Sequence, residues 1–555
     1  MTPKQEAALE TFDRRMKEAV GRTHEEYELL RASAHNSLER MQFIGELVDE
    51  SGIVELLEKW ESQDRKSNAG RKPLFSYRAI VILLWMHKEA GDDRYKRIAQ
   101  TLYAQMTPAT RDYLGIPNLR GDQRDWYGRY WRAMNRILAL TRPWQINRKV
   151  HATPEMYKAA LATYSQEKRD RMDELMNKLI HAPIHRLPTD IRATYAGNVA
   201  IDATLIEVVG EPNPNAENFE AKRLNLDPTS GRYRRGGRHD GRGGKKDRAG
   251  YEMETVVTIP NSPDAPDSFP VITTGLAFHQ PGRIKHGPRI AMNFHAQEFS
   301  ERGLILADRA YNGSKPHRFQ KPTREMGFRH VFDYKTTQAG VQGVIGDVIF
   351  IGGRPYVNYM PPNLRTIRED FKARRIDKEA HDARLKSLDA YQLTDKGVPD
   401  ADGRQRFIYP DLTKVACFDP ATGKLLTGRQ KPKTQATFLL SPDSPSRMQI
   451  IKHLNRFQHK SQKWRAWYGM RSHVESNNQY VKADAETDLG NPEKRRPRGY
   501  EFQALSAALA FAVSNMRRIV SYIKSQAMKD LDEKTLRRAR RRTDEYGNRL
   551  KHHDE

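Results

Sequence analysis

The sequence predicts an α/β protein. A mixed sheet is flanked by helices, with a helical region before it and a β-containing insertion ahead of the last helices. Three observations predict this. Up to about residue 190 the apolar residues recur at helical spacing. From about Ala196, β-rich runs alternate with helical ones in the order three strands, helix, strand, helix, strand. An Ala-rich run from Glu501 to Ile523 then supplies a helix to pack on the sheet.

Residues 1–190 form the helical region. Met41, Ile44, Leu47 and Val48, then Ile53, Leu56, Leu57 and Trp60, mark apolar faces. Asn68 to Pro73 reads as a basic turn. An apolar helix from Tyr77 to Lys88, a second from about Tyr95 to Ala104 and a third opened by Thr107-Pro108 follow. Short helices with tight turns and basic flanks suit a helix-turn-helix-like DNA-binding unit. A plain helical bundle fits the same spacing. Helical character continues over Tyr127–Leu140 and Pro154–Ile180.

The sheet region is expected over 191–336 and 456–525. Gly197 to Thr204 reads as a short strand ending on Asp202. Tyr251–Ile259 and Phe269–Phe278 read as a hairpin, Pro288–Phe299 as a helix, and Gly303–Asp308 as a buried strand ending on a second Asp. Arg329–Tyr334 is a further strand. Between the first strand and the hairpin lies a Gly/Arg run carrying Arg234, Arg235, Arg238, Lys245 and Lys246, with Tyr233 and His239 interleaved. It cannot build a core. It reads as a solvated loop or a phosphate-contacting loop, and its density of positive charge favours the second. Residues 337–455 form the insertion: strand pairs over Val341–Val357 and Arg406–Leu440, with a charged helix over about Thr366–Leu388 between them. Residues 526–555 are a basic tail with Arg537 to Arg542, expected to be solvated or loosely helical.

The 555 residues carry a net charge of +25. A surplus this large points to a polyanionic partner, first nucleic acid and second a membrane surface. No apolar run reaches the roughly 18 residues that span a bilayer. The start, Met-Thr-Pro-Lys-Gln-Glu, lacks the apolar core of a signal peptide. The single cysteine, Cys417, excludes an intramolecular disulfide and a multi-Cys zinc site. It is expected as a small buried apolar residue. The simplest location is the cytoplasm, beside the nucleoid of a bacterial-type cell.

One stretch concentrates chemistry. Tyr468 to Lys482 reads as one helix, with Tyr468, Arg471, Glu475 and Lys482 within an arc of roughly 60°. Trp467, Met470, Val474 and Val481 make a neighbouring apolar stripe. Alone, Glu475 between two cations is an ion-paired surface. His473 reads as a neighbour turned elsewhere. Asp202 and Asp308, each alone, are capping residues. Together, three carboxylates repel one another and raise one another's pKa values, a penalty that a divalent ion removes. Two such ions can clamp the attacking and leaving oxygens of a phosphoryl displacement.

These residues resemble a family. Tyr468-x2-Arg471-x3-Glu475-x6-Lys482 is similar to the Y-R-E-K signature of bacterial insertion-sequence transposases with an RNase H-like DDE catalytic domain. Ile201-Asp202-Ala-Thr resembles the family's first-strand Asp. Asp308-Arg-Ala-Tyr311 resembles the second, with Tyr311 in a supporting place. The resemblance spans about residues 196–520. It implies that Asp202, Asp308 and Glu475 bind Mg²⁺ (or Mn²⁺), two ions in all. It implies that Tyr468, Arg471 and Lys482 contact transposon-end DNA. The implied reactions are nicking at the element ends and attack of the 3′-OH on target DNA, by a homodimer that pairs two ends. A metal nuclease of the same fold that cuts without joining, and a non-catalytic DNA-binding protein, are the alternatives. Some family members support a flipped base with a Trp in the insertion. No Trp lies between residues 336 and 460, which leaves Phe350, Tyr356 or Tyr359 to stack.

Overall fold

The computed structural model of the chain describes residues 2–529 and 531, apart from 68–71, 147–149, 215–217, 219, 221–222, 236–245, 283–285, 336–337 and 434. The start of the expected basic turn, Asn68 to Arg71, and the Arg537–Arg542 run of the basic tail lie outside the described residues. So do Arg238, His239 and Lys245.

Six strands form the main sheet: β1 (Val199–Glu207), β2 (Gly231–Arg235), β3 (Lys246–Thr258), β4 (Thr273–His279), β5 (Leu304–Ala307) and β6 (Arg329–Phe332). β3 is the longest. It pairs antiparallel with β2 at its start and with β1 and β4 along the rest. β5 then pairs parallel to β1, and β6 parallel to β5. Several strands differ from expectation: β3 starts at Lys246 rather than Tyr251, and β4 at Thr273 rather than Phe269. β1 runs past Asp202 to Glu207, because β3 offers it partners as far as Gly250. The Gly/Arg run is no free loop at its ends, since Gly231–Arg235 pairs with Lys246–Gly250.

Both faces of the sheet are covered, so its strands are apolar on both sides. On one face the helix Gly287–Glu298 sets Ala291 and Met292 on Val199, Ile201, Val256 and Ile305. On the other, Trp464, Met470 and Val474 cover Ala200, Val257, Leu306 and Val331. Beside them the helices Gln166–His185 and Tyr500–Ala527 cover Tyr251, Met253, Leu276 and Phe278. The outer edge of β4 is closed by side-chain amides. Asn177 bonds to the N–H and C=O of Leu276, and Asn515 to those of Thr273, at 2.7–2.9 Å. An open edge would invite pairing with another chain; two helices plug it instead.

The N-terminal helices share one core with this layer, running from Leu9 through the Tyr500–Ala527 helix to Leu531. Thr107 does cap the helix Pro108–Leu114, and Gly115 ends it in the left-handed region. But the first helix of the expected helix-turn-helix unit, Tyr77–Glu89, is buried almost throughout against the core, which is the bundle arrangement. The insertion has a core of its own around Phe350, Tyr356, Leu388, Phe407 and Leu440, and Cys417 is buried in it. Its charged helix is broken into Ile367–Lys372 and Lys378–Leu388, with Arg374 at φ 56° between them. Among the described residues no helix is long and apolar enough to cross a membrane.

Candidate active site

Asp202 and Asp308 stand side by side. β1 and β5 pair with Val199 opposite Ile305 and Ala200 opposite Leu306. Continued by two residues, that register sets Asp202 level with Asp308, where β5 ends. Strand alternation turns both toward the face covered by Trp464, Met470 and Val474. Burial and then the charge of Asp308 push the Asp202 carboxyl up to about 7; Glu475 adds to this and Arg471 opposes it. Asp308 Oδ1 accepts the Ala310 N–H at 2.7 Å, which tightens the turn after β5.

Glu475 arrives on the helix Ser472–Lys482. Val474 and Val481 bury one side of this helix, and polar bonds fix its register on the sheet. Asn477 donates to Thr273 Oγ1 at 2.9 Å, Thr255 Oγ1 donates to Asn478 Oδ1 at 3.2 Å, and Lys482 Nζ donates to Thr204 Oγ1 at 2.6 Å. Arg471 joins the acids: Nη2 donates to Glu475 Oε1 at 2.7 Å, and Nη1 lies 3.8 Å from Asp202 Oδ2.

The expected single helix from Tyr468 to Lys482 is in fact two. Gln462–Gly469 ends, the chain turns at Met470–Arg471 through i→i+3 bonds, and Ser472–Lys482 begins. The turn lets Met470 enter the core while Arg471 swings to the acids. Tyr468 therefore sits on the earlier helix, stacked on Trp464 at 4.4 Å with Arg471 5.7 Å over its ring. Burial, with Asp333 and Asp308 nearby, raises its hydroxyl to about 12 against the pull of Arg471.

Sequence reasoning missed Glu254. It is wholly buried on β3, one residue before the partner of Asp202, so it points to the opposite face. There the Tyr311 hydroxyl donates to Glu254 Oε2 at 2.6 Å. His279, whose Nδ1 donates to Gln280 O at 2.8 Å, sets Nε2 3.2 Å from Glu254 Oε1. Burial pulls the imidazole down, but the bond and charge of Glu254 carry it above its ordinary value. An acid inside an apolar β-rich run was the available signal. Asp333, at the end of β6, was missed as well. Burial raises its carboxyl, but the His459 bond (2.8 Å) and Lys460 hold it at about 2.

The loop cations are placed only in part. Arg234 is exposed but pairs with Asp247 at 2.9 Å, which lowers its value as a free phosphate contact. Arg235 and Lys246 pair with each other through their backbones in the β2–β3 hairpin. Phe350 and Tyr356 are fully buried, and Tyr359 is half-buried against the insertion core, so none of the three offers the open ring expected for stacking a base. Burial, and then the charge of Arg518, pull the His473 imidazole below its ordinary value.

Carboxylate oxygens of this kind suit a hard divalent cation. The raised pKa of Asp202 is the strain that such a charge relieves. Among the described residues no three His, Cys, Asp or Glu side chains already stand as a closed metal cage, and Arg471 reaches into the space between Asp202 and Glu475. Compared with family models, curated proteins and solved structures, the chain gives no match.

Proposed function

We propose that this chain is a DNA transposase of the RNase H-like DDE type. It cleaves DNA at the ends of an insertion sequence and joins the freed 3′-OH to target DNA. The observation that carries this reading is the level placement of Asp202 and Asp308 on parallel neighbours, with Glu475 tied to Asp202 through Arg471. Antiparallel strands β4, β3 and β1 followed by parallel β5 and β6 fit the RNase H-like order.

In this reading Asp202, Asp308 and Glu475 hold Mg²⁺ or Mn²⁺, two ions in all. When bound, the ions supply the charge that activates the attacking oxygen and neutralises the leaving one. The chain does the rest. Arg471 is the counter-charge of Asp202 and Glu475, and its fork suits a phosphate. Lys482 and Tyr468 flank it and orient the strand. Tyr311, anchored on Glu254, holds the turn that presents Asp308. Pairing two DNA ends calls for two copies of the chain.

The test incubates purified protein with Mg²⁺ and duplex DNA carrying the sequences that flank the gene. Joined product is expected. Cleavage without joining would identify a nuclease of the same fold, and neither product at any divalent ion would overturn the reading.

A further inference from the structure

Four arginines meet where the insertion joins the sheet, and they share one acid. The insertion supplies Arg354, from the strand Arg354–Val357, and Asp395, from the strand Thr394–Lys396. The sheet layer supplies Arg324, on the helix Gln320–Glu325, and Arg329, the first residue of β6. Arg456 lies on the segment that returns from the insertion. Its backbone N–H donates to His330 O at 2.7 Å, beside Arg329. Arg354 Nη2 donates to Asp395 Oδ1 at 2.7 Å, and Arg456 Nη1 donates to Asp395 Oδ2. Both oxygens of the acid are thereby taken. Arg324 and Arg329 feel its charge, and that of Arg354, without an ion pair of their own among the described residues.

The charge does not balance. Four guanidinium groups face one carboxylate, an excess of three. Glu325, next to Arg324 in the chain, is taken by Lys321. Arg324 is 2% exposed, and an arginine so buried is ordinarily paired. Its Nη2 lies 3.5 Å from Gln405 Oε1, and its Nε is buried with no hydrogen-bond partner. Arg329 Nε is buried and unpartnered in the same way. Burial pulls the Arg324 guanidinium down to about 10 and that of Arg329 below its ordinary value; the neighbouring arginines pull the same way, and Asp395 opposes them. Such a cluster is a poor device for stability alone, where apolar residues of similar volume serve as well. Arg354 has a structural task, since it also donates to Asn455 O at 3.0 Å and so ties the insertion to its return segment. The other three keep N–H donors to offer. Arg456, its side chain 32% exposed, brings the cluster to solvent.

We propose that this junction is a binding site for a phosphate group, with Arg324 innermost, Arg329 beside it and Arg456 at the mouth. The planar forks of guanidinium groups match phosphate oxygens in pairs, and a dianion offsets most of the excess charge. The site is separate from the three acids. Arg329 is level with Leu304 at the start of β5, and Asp308 lies four residues further, about 13 Å along the strand. A free phosphate or phosphate monoester and a nucleic-acid backbone offer the same group. Because the arginines come from the insertion and from the sheet layer, the bound phosphate fastens one to the other. The inference goes beyond the transposase reading and does not depend on it.

The experiment melts wild type, Arg329→Gln and Arg456→Gln in sodium phosphate and in sodium chloride of equal ionic strength. Phosphate is expected to raise the wild-type melting temperature by a few degrees more than it raises that of either variant. The variants thus report the general stabilisation that phosphate gives any protein as an excluded salt. Arg456→Gln leaves Asp395 paired with Arg354, so it keeps the test open if Arg329→Gln does not fold. Equal shifts in all three proteins would overturn the inference. A salt titration of a labelled DNA duplex separates the sources of the phosphate. If the backbone supplies it, Arg456→Gln weakens duplex binding and flattens the log–log salt slope by about one contact. If free phosphate supplies it, the variants bind duplex as wild type does, and calorimetry with inorganic phosphate gives an equimolar titre for wild type alone. Unchanged duplex binding together with no phosphate titre would overturn the site for both sources.

Discussion

The Tyr311 hydroxyl donates to Glu254 Oε2 at 2.6 Å, and both groups are buried. Tyr311 follows Asp308 by three residues, so this one bond ties the turn bearing a proposed metal ligand to the central strand of the sheet. Tyr311→Phe leaves a carboxylate oxygen buried without its donor, and is expected to cost about 1–3 kcal/mol. Glu254→Ala also strips His279 of its partner and should cost about 3 kcal/mol or more. Urea unfolding at constant m-value measures both. Stability unchanged in Tyr311→Phe would remove the bond from any anchoring role.

Asp202 binds its proton more tightly in the folded chain than in the unfolded one, since burial and Asp308 raise it from 3.8 to about 7. Across that window the unfolded chain has released a proton that the folded chain still holds. Stability contributed by this site therefore falls as pH rises through it. Asp202→Asn is expected to gain stability over wild type from pH 4 to 7 and to hold the gain above. Added Mg²⁺ at pH 8 should raise the wild-type melting temperature and leave the variant's unmoved. Parallel pH curves for the two proteins would contradict this.

Lys482 reaches Thr204 on β1, two residues beyond Asp202 and on the same face. Lys482→Ala is expected to weaken end-DNA binding several-fold and to reduce the salt slope by about one contact. A slope identical to wild type would show that Lys482 serves only to dock its helix.

Asn515 satisfies both backbone groups of Thr273 on the outer edge of β4. Asn515→Leu keeps the branched outline, with bulkier methyl groups, and removes the bonds. A loss of about 2–3 kcal/mol is expected, with a greater tendency to associate through the bared edge. Thermal melts and light scattering read the two effects separately.

The alternation of strands and helices was legible because each element carries its own period and its own caps, as Thr107 and Gly115 illustrate. Asp308 was legible because an apolar strand stops at it. The rest depends on contacts distant in sequence. Asp202 looked like a strand end, yet β3 extends β1 to Glu207. The helix break at Met470–Arg471 comes from docking Met470 into the core, which local propensity does not encode. Glu254 stayed hidden because a sheet covered on both faces shows no polar side against which an inward acid would stand out. The N-terminal helices had apolar faces in plain view, but not the knowledge that they share a core with Tyr500–Ala527.

The proposed function turns on whether Asp202, Asp308 and Glu475 act as one divalent-ion site on DNA. The most direct measurement is cleavage of a labelled duplex carrying the flanking sequence, by wild type and by Asp308→Asn, with and without Mg²⁺, alongside duplex affinity. Wild type is expected to cut only with the ion present and to leave a 3′-OH, while Asp308→Asn binds the duplex comparably and does not cut. Cleavage by Asp308→Asn at the wild-type rate, or cleavage by wild type in excess chelator, would contradict it.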